Sequence, residues 1–180
     1  MKTKQLLLIL LTALFPLAVW SNVWQDPETK VNYEYHVGSN DATVKNGSYS
    51  SAGSPDATGD ITILSRFTVD GKDYAVNSIG QYAFCKCTGI SSVTIPSTVT
   101  NMGKYAFKDC TGLTSVTLSD GVSYIGEYAF SRCTSLSSIT IPSSVTNMGK
   151  YAFQDCTGLT SVTLSEGVSY IGECAFWGCI

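Results

Sequence analysis

Charge is scarce in this chain. Of its 180 residues only 14% are Asp, Glu, Lys or Arg, the net charge is −3, and His36 is the single histidine. No basic field exists to hold a polyanion, which excludes nucleic acid as a partner. A Cys–His or Ser–His–Asp site would have to recruit His36, which sits in the alternating stretch Val31 to Val37 that reads as a strand. Carboxylates are nowhere concentrated into a pair, and no phosphate-cradling glycine loop appears. Seven cysteines are present, but no C-x-x-C pair, so with one histidine a zinc site has no ligand set. The composition points away from an enzyme and calls for no cofactor or metal.

Long apolar runs are missing too, except at the start. Lys2 and Lys4 precede an apolar stretch from Leu6 to Val19, interrupted by Pro16, with small residues at Val19 and Ser21. The stretch is shorter than the ~20 apolar residues that span a bilayer. Residues 1–21 therefore read as a secretory signal peptide cut near Ser21–Asn22. The expected localisation is secreted or at the cell surface, with membrane attachment only through an anchor not present in this chain.

What the sequence has in abundance is repetition. Gly80, Gly103, Gly126, Gly149 and Gly172 fall 23 residues apart, as do Phe84, Phe107, Phe130, Phe153 and Phe176, and Cys87, Cys110, Cys133, Cys156 and Cys179. A fixed period in the twenties marks a solenoid, in which each coil buries its apolar side only against its neighbours. In the coil beginning at Leu113, residues Leu113, Val116, Leu118, Val122, Ile125, Ala129, Phe130 and Cys133 form the apolar set. Around Ser115–Leu118 the pattern alternates, so each coil should contribute a short strand to a parallel sheet, with Val116 and Leu118 inward and Ser115 and Thr117 outward. The repeat glycine marks either a positive φ or a close backbone approach. Pro96 and Pro142 end strands of alternate coils, where a missing N–H costs least.

Asn101–Glu127 and Asn147–Glu173 are identical except for Lys108/Gln154 and Asp120/Glu166, so the copied unit is 46 residues, two coils at once. The position after the glycine reads Gln81, Lys104, Glu127, Lys150, Glu173, a column of alternating charge. At the ~4.8 Å spacing of strands it should aid coil register, each exposed pair contributing about 0.2–1 kcal/mol.

Residues 22–75 break the period. Asp60-Ile61-Thr62-Ile63 resembles a repeat strand, with Ile63 matching Ile95. Asp70-Gly71 between apolar runs signals a hairpin turn. This part reads as an N-terminal β cap merging into a solenoid of about four and a half coils over residues 76–180. The chain stops at Ile180, where earlier coils begin their next strand, so a fragment of a longer protein is expected.

The run Ile125-Gly126-Glu127-Tyr128-Ala129-Phe130, continuing through Cys133-Thr134 to Ile139-Thr140-Ile141-Pro142, closely resembles the BspA-type bacterial leucine-rich repeats. The resemblance covers residues 76–180. It implies a leucine-rich-repeat, horseshoe-type β solenoid on secreted or surface proteins of host-associated microbes. It also implies adhesion to extracellular proteins or glycans, of host matrix or of other microbial cells.

The leading candidate for a ligand face is the outward row of the strand sheet: Ser92, Thr94, Ser115, Thr117, Ser138, Thr140, Ser161 and Thr163. The plainer account is that Thr favours strands and Ser is soluble. The column Tyr82, Tyr105, Tyr128, Tyr151 is a second face, its plainer account being structural stacking. The repeated cysteines read as a buried ladder of free thiols, Cys85 as a replacement at an outward position, and Cys174 as a replacement in the tyrosine column. Asn46-Gly47-Ser48 matches a glycosylation acceptor. Two functions stay open: recognition through the strand face, or a structural spacer with no ligand of its own.

Overall fold

A computed structural model describes residues 21–29, 31–36, 39–44 and 57–179. Residues 1–20 of the stretch expected to be a signal peptide, the expected Asn46 glycosylation acceptor and most of the 46–59 loop lie outside the described residues. The chain from β4 onward winds as a pile of coils with strands and tight turns. Among the described residues no helix is long and apolar enough to cross a membrane.

The strands before the repeats come first. β1 (Ser21–Gln25) pairs antiparallel with β2 (Asn32–His36), and β2 with β3 (Asp41–Val44). β4 (Gly59–Thr62) follows, then β5 (Arg66–Val69) and β6 (Lys72–Ile79), which form the predicted hairpin. Asp70 and Gly71 at its turn have φ of 50° and 76°, the left-handed pair that matches strand twist. Tyr33, Tyr35, Phe67 and Tyr74 pack ring against ring between the two ribbons, with centroids 4.6–5.9 Å apart. The Leu64 N–H donates to the buried Tyr33 Oη at 3.1 Å.

Each coil then supplies two strands rather than one. The expected strand face holds β7 (Ile90–Ile95), β9 (Ser115–Leu118), β11 (Ser138–Ile141) and β13 (Ser161–Leu164). The second ladder is made of two-residue strands just before the repeat glycine: β8 (Asn101–Met102), β10 (Tyr124–Ile125), β12 (Asn147–Met148) and β14 (Tyr170–Ile171). This second ladder is unbroken. It continues through β6 and β3 to β2 and β1 as one nine-stranded sheet, which also takes in β5. The N-terminal strands thus extend the sheet of the first coil.

The repeat glycines serve close approach, not positive φ. A Cβ on Gly126 would lie 2.6 Å from the Gly103 carbonyl, and one on Gly103 2.6 Å from the Gly80 carbonyl carbon. The left-handed conformations fall instead at Tyr82, Tyr105, Tyr128 and Tyr151 (φ 54–61°), and four residues on at Lys86, Asp109, Arg132 and Asp155 (φ 55–63°). Between these points alternate N–H groups reach forward to the next coil. Tyr105, Phe107 and Asp109 donate to Glu127, Ala129 and Ser131 carbonyls at 2.7–2.9 Å.

The core is a set of columns. Phe84, Phe107, Phe130 and Phe153 are fully buried and stack with centroids 4.9–5.2 Å apart and planes within 10°. Beside them Cys110, Cys133 and Cys156 donate Sγ–H to the Phe carbonyl of the preceding coil at 3.0–3.3 Å, and all are free thiols. The expected ladder of buried free thiols is present from Cys87 to Cys156, with Cys179 only half-buried, and it fastens one coil to the next. Cys85 corrects another expectation: its position is not outward, since Cys85 is 3% and the equivalent Ser131 1% exposed.

Two predictions follow from this packing. Gly126→Ala should destabilise by on the order of 3 kcal/mol, because backbone rather than a movable side chain meets the new methyl. Gly71→Ala, strained only by its φ in open space, should cost ~1–2 kcal/mol; equal urea midpoints for the two would refute the close-approach reading. The second concerns alkali. Burial pushes the Tyr33 phenol and the Cys156 thiol each up to about 12, and holds Cys110 and Cys133 well above the ordinary value. All are acids whose folded pKa exceeds the unfolded one, so the fold favours their neutral forms. That stability is complete below the unfolded values of 9.0 for thiol and 10.0 for phenol, and is lost as pH rises toward about 12. The urea midpoint should stay level around neutrality and fall steadily above pH 9.0; a midpoint level throughout that range would contradict it.

Candidate functional site

The strand face carries the candidate residues as the alternation requires. Ser92 lies opposite Ser115 and Thr94 opposite Thr117; Ser138 lies opposite Ser161 and Thr140 opposite Thr163. Val93, Val116 and Ile139 point inward and are buried. β4 adds Asp60 and Thr62 to the same two columns, opposite Ser92 and Thr94. The match of Ile63 to Ile95 carries this signal in the sequence, since it sets Asp60 and Thr62 at the outward positions.

Asp60 changes the meaning of the first serine. Its Oδ1 accepts from Ser92 Oγ at 2.6 Å and Ser91 Oγ at 2.9 Å, and these bonds, Ser92's first, hold its carboxyl below the ordinary value. Ser92 is half-buried and engaged. From Thr94 to Thr163 the other seven hydroxyl residues are exposed, and none spends its hydroxyl on a hydrogen bond within the described residues. Hydroxyls elsewhere do spend theirs. Thr100, Thr114, Ser123, Thr146 and Thr160 each donate to a carbonyl of the preceding coil at 2.9–3.3 Å. Position therefore separates structural hydroxyls from those open to a ligand.

The expected continuous sheet is interrupted. β4–β7–β9 forms one sheet and β11–β13 another, with no bridge between β9 and β11. At the β7–β9 and β11–β13 steps, two of the three that are bridged, the Ser119 N–H donates to the Ile95 carbonyl (3.1 Å) and the Ser165 N–H to the Ile141 carbonyl (3.0 Å). At the intervening step the corresponding residue is Pro142, which has no N–H to give Leu118. A notch of about 260 Å³ opens there, lined by strand residues 115–118 and 138–140. Pro96 holds the same place at the bridged β4–β7 step, so the missing N–H accompanies the gap without being its sole cause.

The tyrosine column is a stack. Tyr82, Tyr105, Tyr128 and Tyr151 lie with centroids 4.8–5.1 Å apart, so their ring faces are taken by one another. The neighbouring charge column pairs Lys104 with Glu127 at 2.5 Å and Lys150 with Glu173 at 2.9 Å. The Glu127 carboxylate raises the Lys104 pKa. Cys174 ends the tyrosine column, exposed, at φ 55°. Among the described residues no group of three or more His, Cys, Asp or Glu is placed to hold a metal.

The BspA type leucine rich repeat region pattern matches residues 69–180, as six copies. This chain belongs to the BspA-type leucine-rich repeat family. Three solved structures of the kind resemble it. A leucine-rich repeat protein from Bacteroides capillosus is 31% identical, with a TM-score of 0.65 over 79% of this chain and 98% of that one. The Treponema (T.) pallidum leucine-rich repeat protein is 27% identical, with a TM-score of 0.68 over 88% of this chain and 64% of that one. A leucine-rich cell surface protein from Faecalibacterium prausnitzii is 28% identical, with a TM-score of 0.57 over 88% of this chain and 46% of its own. The BspA-type chain thus spans less than two thirds of the latter two. No curated protein matches it in sequence.

Thiol accessibility checks the column geometry. With Ellman's reagent the native chain should show one fast thiol, Cys174, and a slower one, half-buried Cys179, while Cys85, Cys87, Cys110, Cys133 and Cys156 react only in denaturant. Fast native reaction of more than two thiols would overturn the buried ladder.

Proposed function

We propose that this BspA-type chain is a secreted or cell-surface recognition module that binds extracellular protein or glycan through its strand face. The observation that carries the reading is the row of exposed, unspent hydroxyls from Thr94 to Thr163, repeated in register on a rigid solenoid. Such a face offers donors and acceptors at fixed spacing, with no ordering cost on the protein's side. The leader-like residues 1–21 support export, and the Faecalibacterium relative is described as a cell surface protein. The near-identical 46-residue units also suit a spacer, which tolerates changes of length, but a spacer needs no open polar row.

The test is surface binding of the purified chain to a panel of matrix proteins and glycans, beside a Thr117→Arg/Thr140→Arg variant. Both positions are exposed, so the variant should keep the parent's melting curve. Binding by the parent that falls about tenfold or more in the variant is expected, the loss typical of a few central contacts. No binding by a folded parent would favour the spacer; binding that the variant retains would move the site off this face.

A further inference from the structure

The notch between β9 and β11 is where the strand face departs from its own repeat. Its dimensions decide what can enter. In the same two coils Tyr128–Tyr151 and Phe130–Phe153 remain 4.8 and 5.2 Å apart, close to the 5.1 and 5.2 Å of the bridged β7–β9 step. A whole strand lying between two others needs them ~9.6 Å apart, twice the pairing distance. No backbone fits between β9 and β11, but side chains do. The volume, about 260 Å³, lies below the ~300–1,000 Å³ of pockets that engulf a small ligand. It suits parts of a longer chain lying over it.

The lining has two levels. The floor is apolar: Val116 is 9% exposed where Val93 is 1%, and Leu118 is half-buried where Ile95 and Ile141 are fully buried. The rim is hydroxylic, Ser115 and Thr117 on one side and Ser138 and Thr140 on the other. No charged side chain and no aromatic ring takes part, so an acidic or basic ligand finds no counter-charge and a sugar ring no flat face. Along each rim the hydroxyls recur every two residues, ~6.8 Å, which is the repeat of an extended polypeptide. Such a chain above the notch directs alternate side chains down and alternate peptide groups sideways.

We infer that this notch docks an extended, uncharged peptide segment of a partner protein. Two alternate small apolar side chains enter onto Val116, Leu118 and Ile139, and its N–H and C=O groups meet the hydroxyls of Ser115, Thr117, Ser138 and Thr140. The inference rests on the strand-face reading and names its occupant. It is strand recognition without strand insertion, the alternate side chains giving selectivity and main-chain bonds giving affinity.

The decisive variant is Pro142→Ser. Serine is what this sequence places at the β7–β9 and β11–β13 steps, as Ser119 and Ser165, whose N–H groups bond across the step; the third bridged step, β4–β7, carries Pro96. Leu118→Phe, which fills the notch from its floor, is the second variant. The probe is a capped, uncharged hexapeptide of alternating threonine and valine, followed through backbone amide shifts of the full chain. A capped hexapeptide of alternating threonine and aspartate and a neutral cellulose-type hexasaccharide run alongside. The expected result is shifts centred on residues 115–118 and 138–140 with the uncharged peptide alone, and affinity reduced about tenfold or more by each folded variant. Three outcomes overturn the inference: no such shifts, equal or larger shifts with the saccharide or acidic peptide, or undiminished binding by Leu118→Phe. The matrix panel separates this failure from failure of the face as a whole. Panel binding lost in Thr117→Arg/Thr140→Arg but kept in Pro142→Ser and Leu118→Phe leaves the strand face standing and removes the notch.

Discussion

Everything in this solenoid depends on coils lying backbone to backbone at the repeat glycine. A Cβ at Gly103, Gly126, Gly149 or Gly172 would come within 2.4–2.6 Å of main-chain atoms of the coil before it. That contact fixes the step between coils near 5 Å. With the step fixed, identical residues 23 positions apart are forced into register. Phenylalanine then stacks on phenylalanine and tyrosine on tyrosine, and the thiols of Cys110, Cys133, Cys156 and Cys179 each meet a phenylalanine carbonyl. A residue with a side chain at that position would push the columns apart together, because they share one spacing.

The same spacing explains why bulky residues tolerate left-handed backbone. Tyr128 at φ 54° and Arg132 at φ 61° each bear a conformational cost of about 1–2 kcal/mol. In return Tyr128 donates its N–H forward at 3.0 Å and stacks on two rings, while Arg132 donates at 2.7 Å and lies between Asp109 and Asp155. Glycine in either place would relieve the backbone but lose the column. Cys174, also at φ 55°, keeps the conformation without the ring, and its thiol lies close enough to raise the Tyr151 pKa.

Much of this was legible in the residues. The period gave the coils, Val116 and Leu118 between Ser115 and Thr117 gave the strand and its faces, and Asp70-Gly71 gave the hairpin. The two-residue ladder β8–β14 was not, because a strand of two residues has no alternation to read. Tyr82 and its equivalents did not advertise a left-handed φ, since that conformation favours glycine or asparagine. Nor did Cys85 betray its burial: its equivalents Lys108 and Gln154 are half-exposed and polar, and the covering of Cys85 and Ser131 appears only once the coils are stacked. On the candidate face, Ser92 was read as equal to its column mates, but Asp60 reaches it only through the pairing of β4 with β7.

The interrupted sheet shows how repetition and specificity coexist in one chain. Proline ends the strand only in alternate coils, at Pro96 and Pro142. At Pro96 the preceding strand is β4 of the entry coil, which still pairs with β7 because the Ile63 N–H donates to the Thr94 carbonyl at 3.0 Å and a bulge at Gly59–Asp60 adjusts the register. At Pro142 the preceding strand is an ordinary repeat strand with no such adjustment, and the sheet parts. The glycine contact and the aromatic stacks hold the far side closed, so the gap becomes a shallow notch instead of a broken coil. A defect confined to one face of a rigid pile is what a binding feature requires: it alters the surface without altering the frame. Since the proline occurs once in each 46-residue unit, copying that unit copies the proline with its two flanking coils. Copying a single coil would lose the alternation between an N–H donor and a residue that has none.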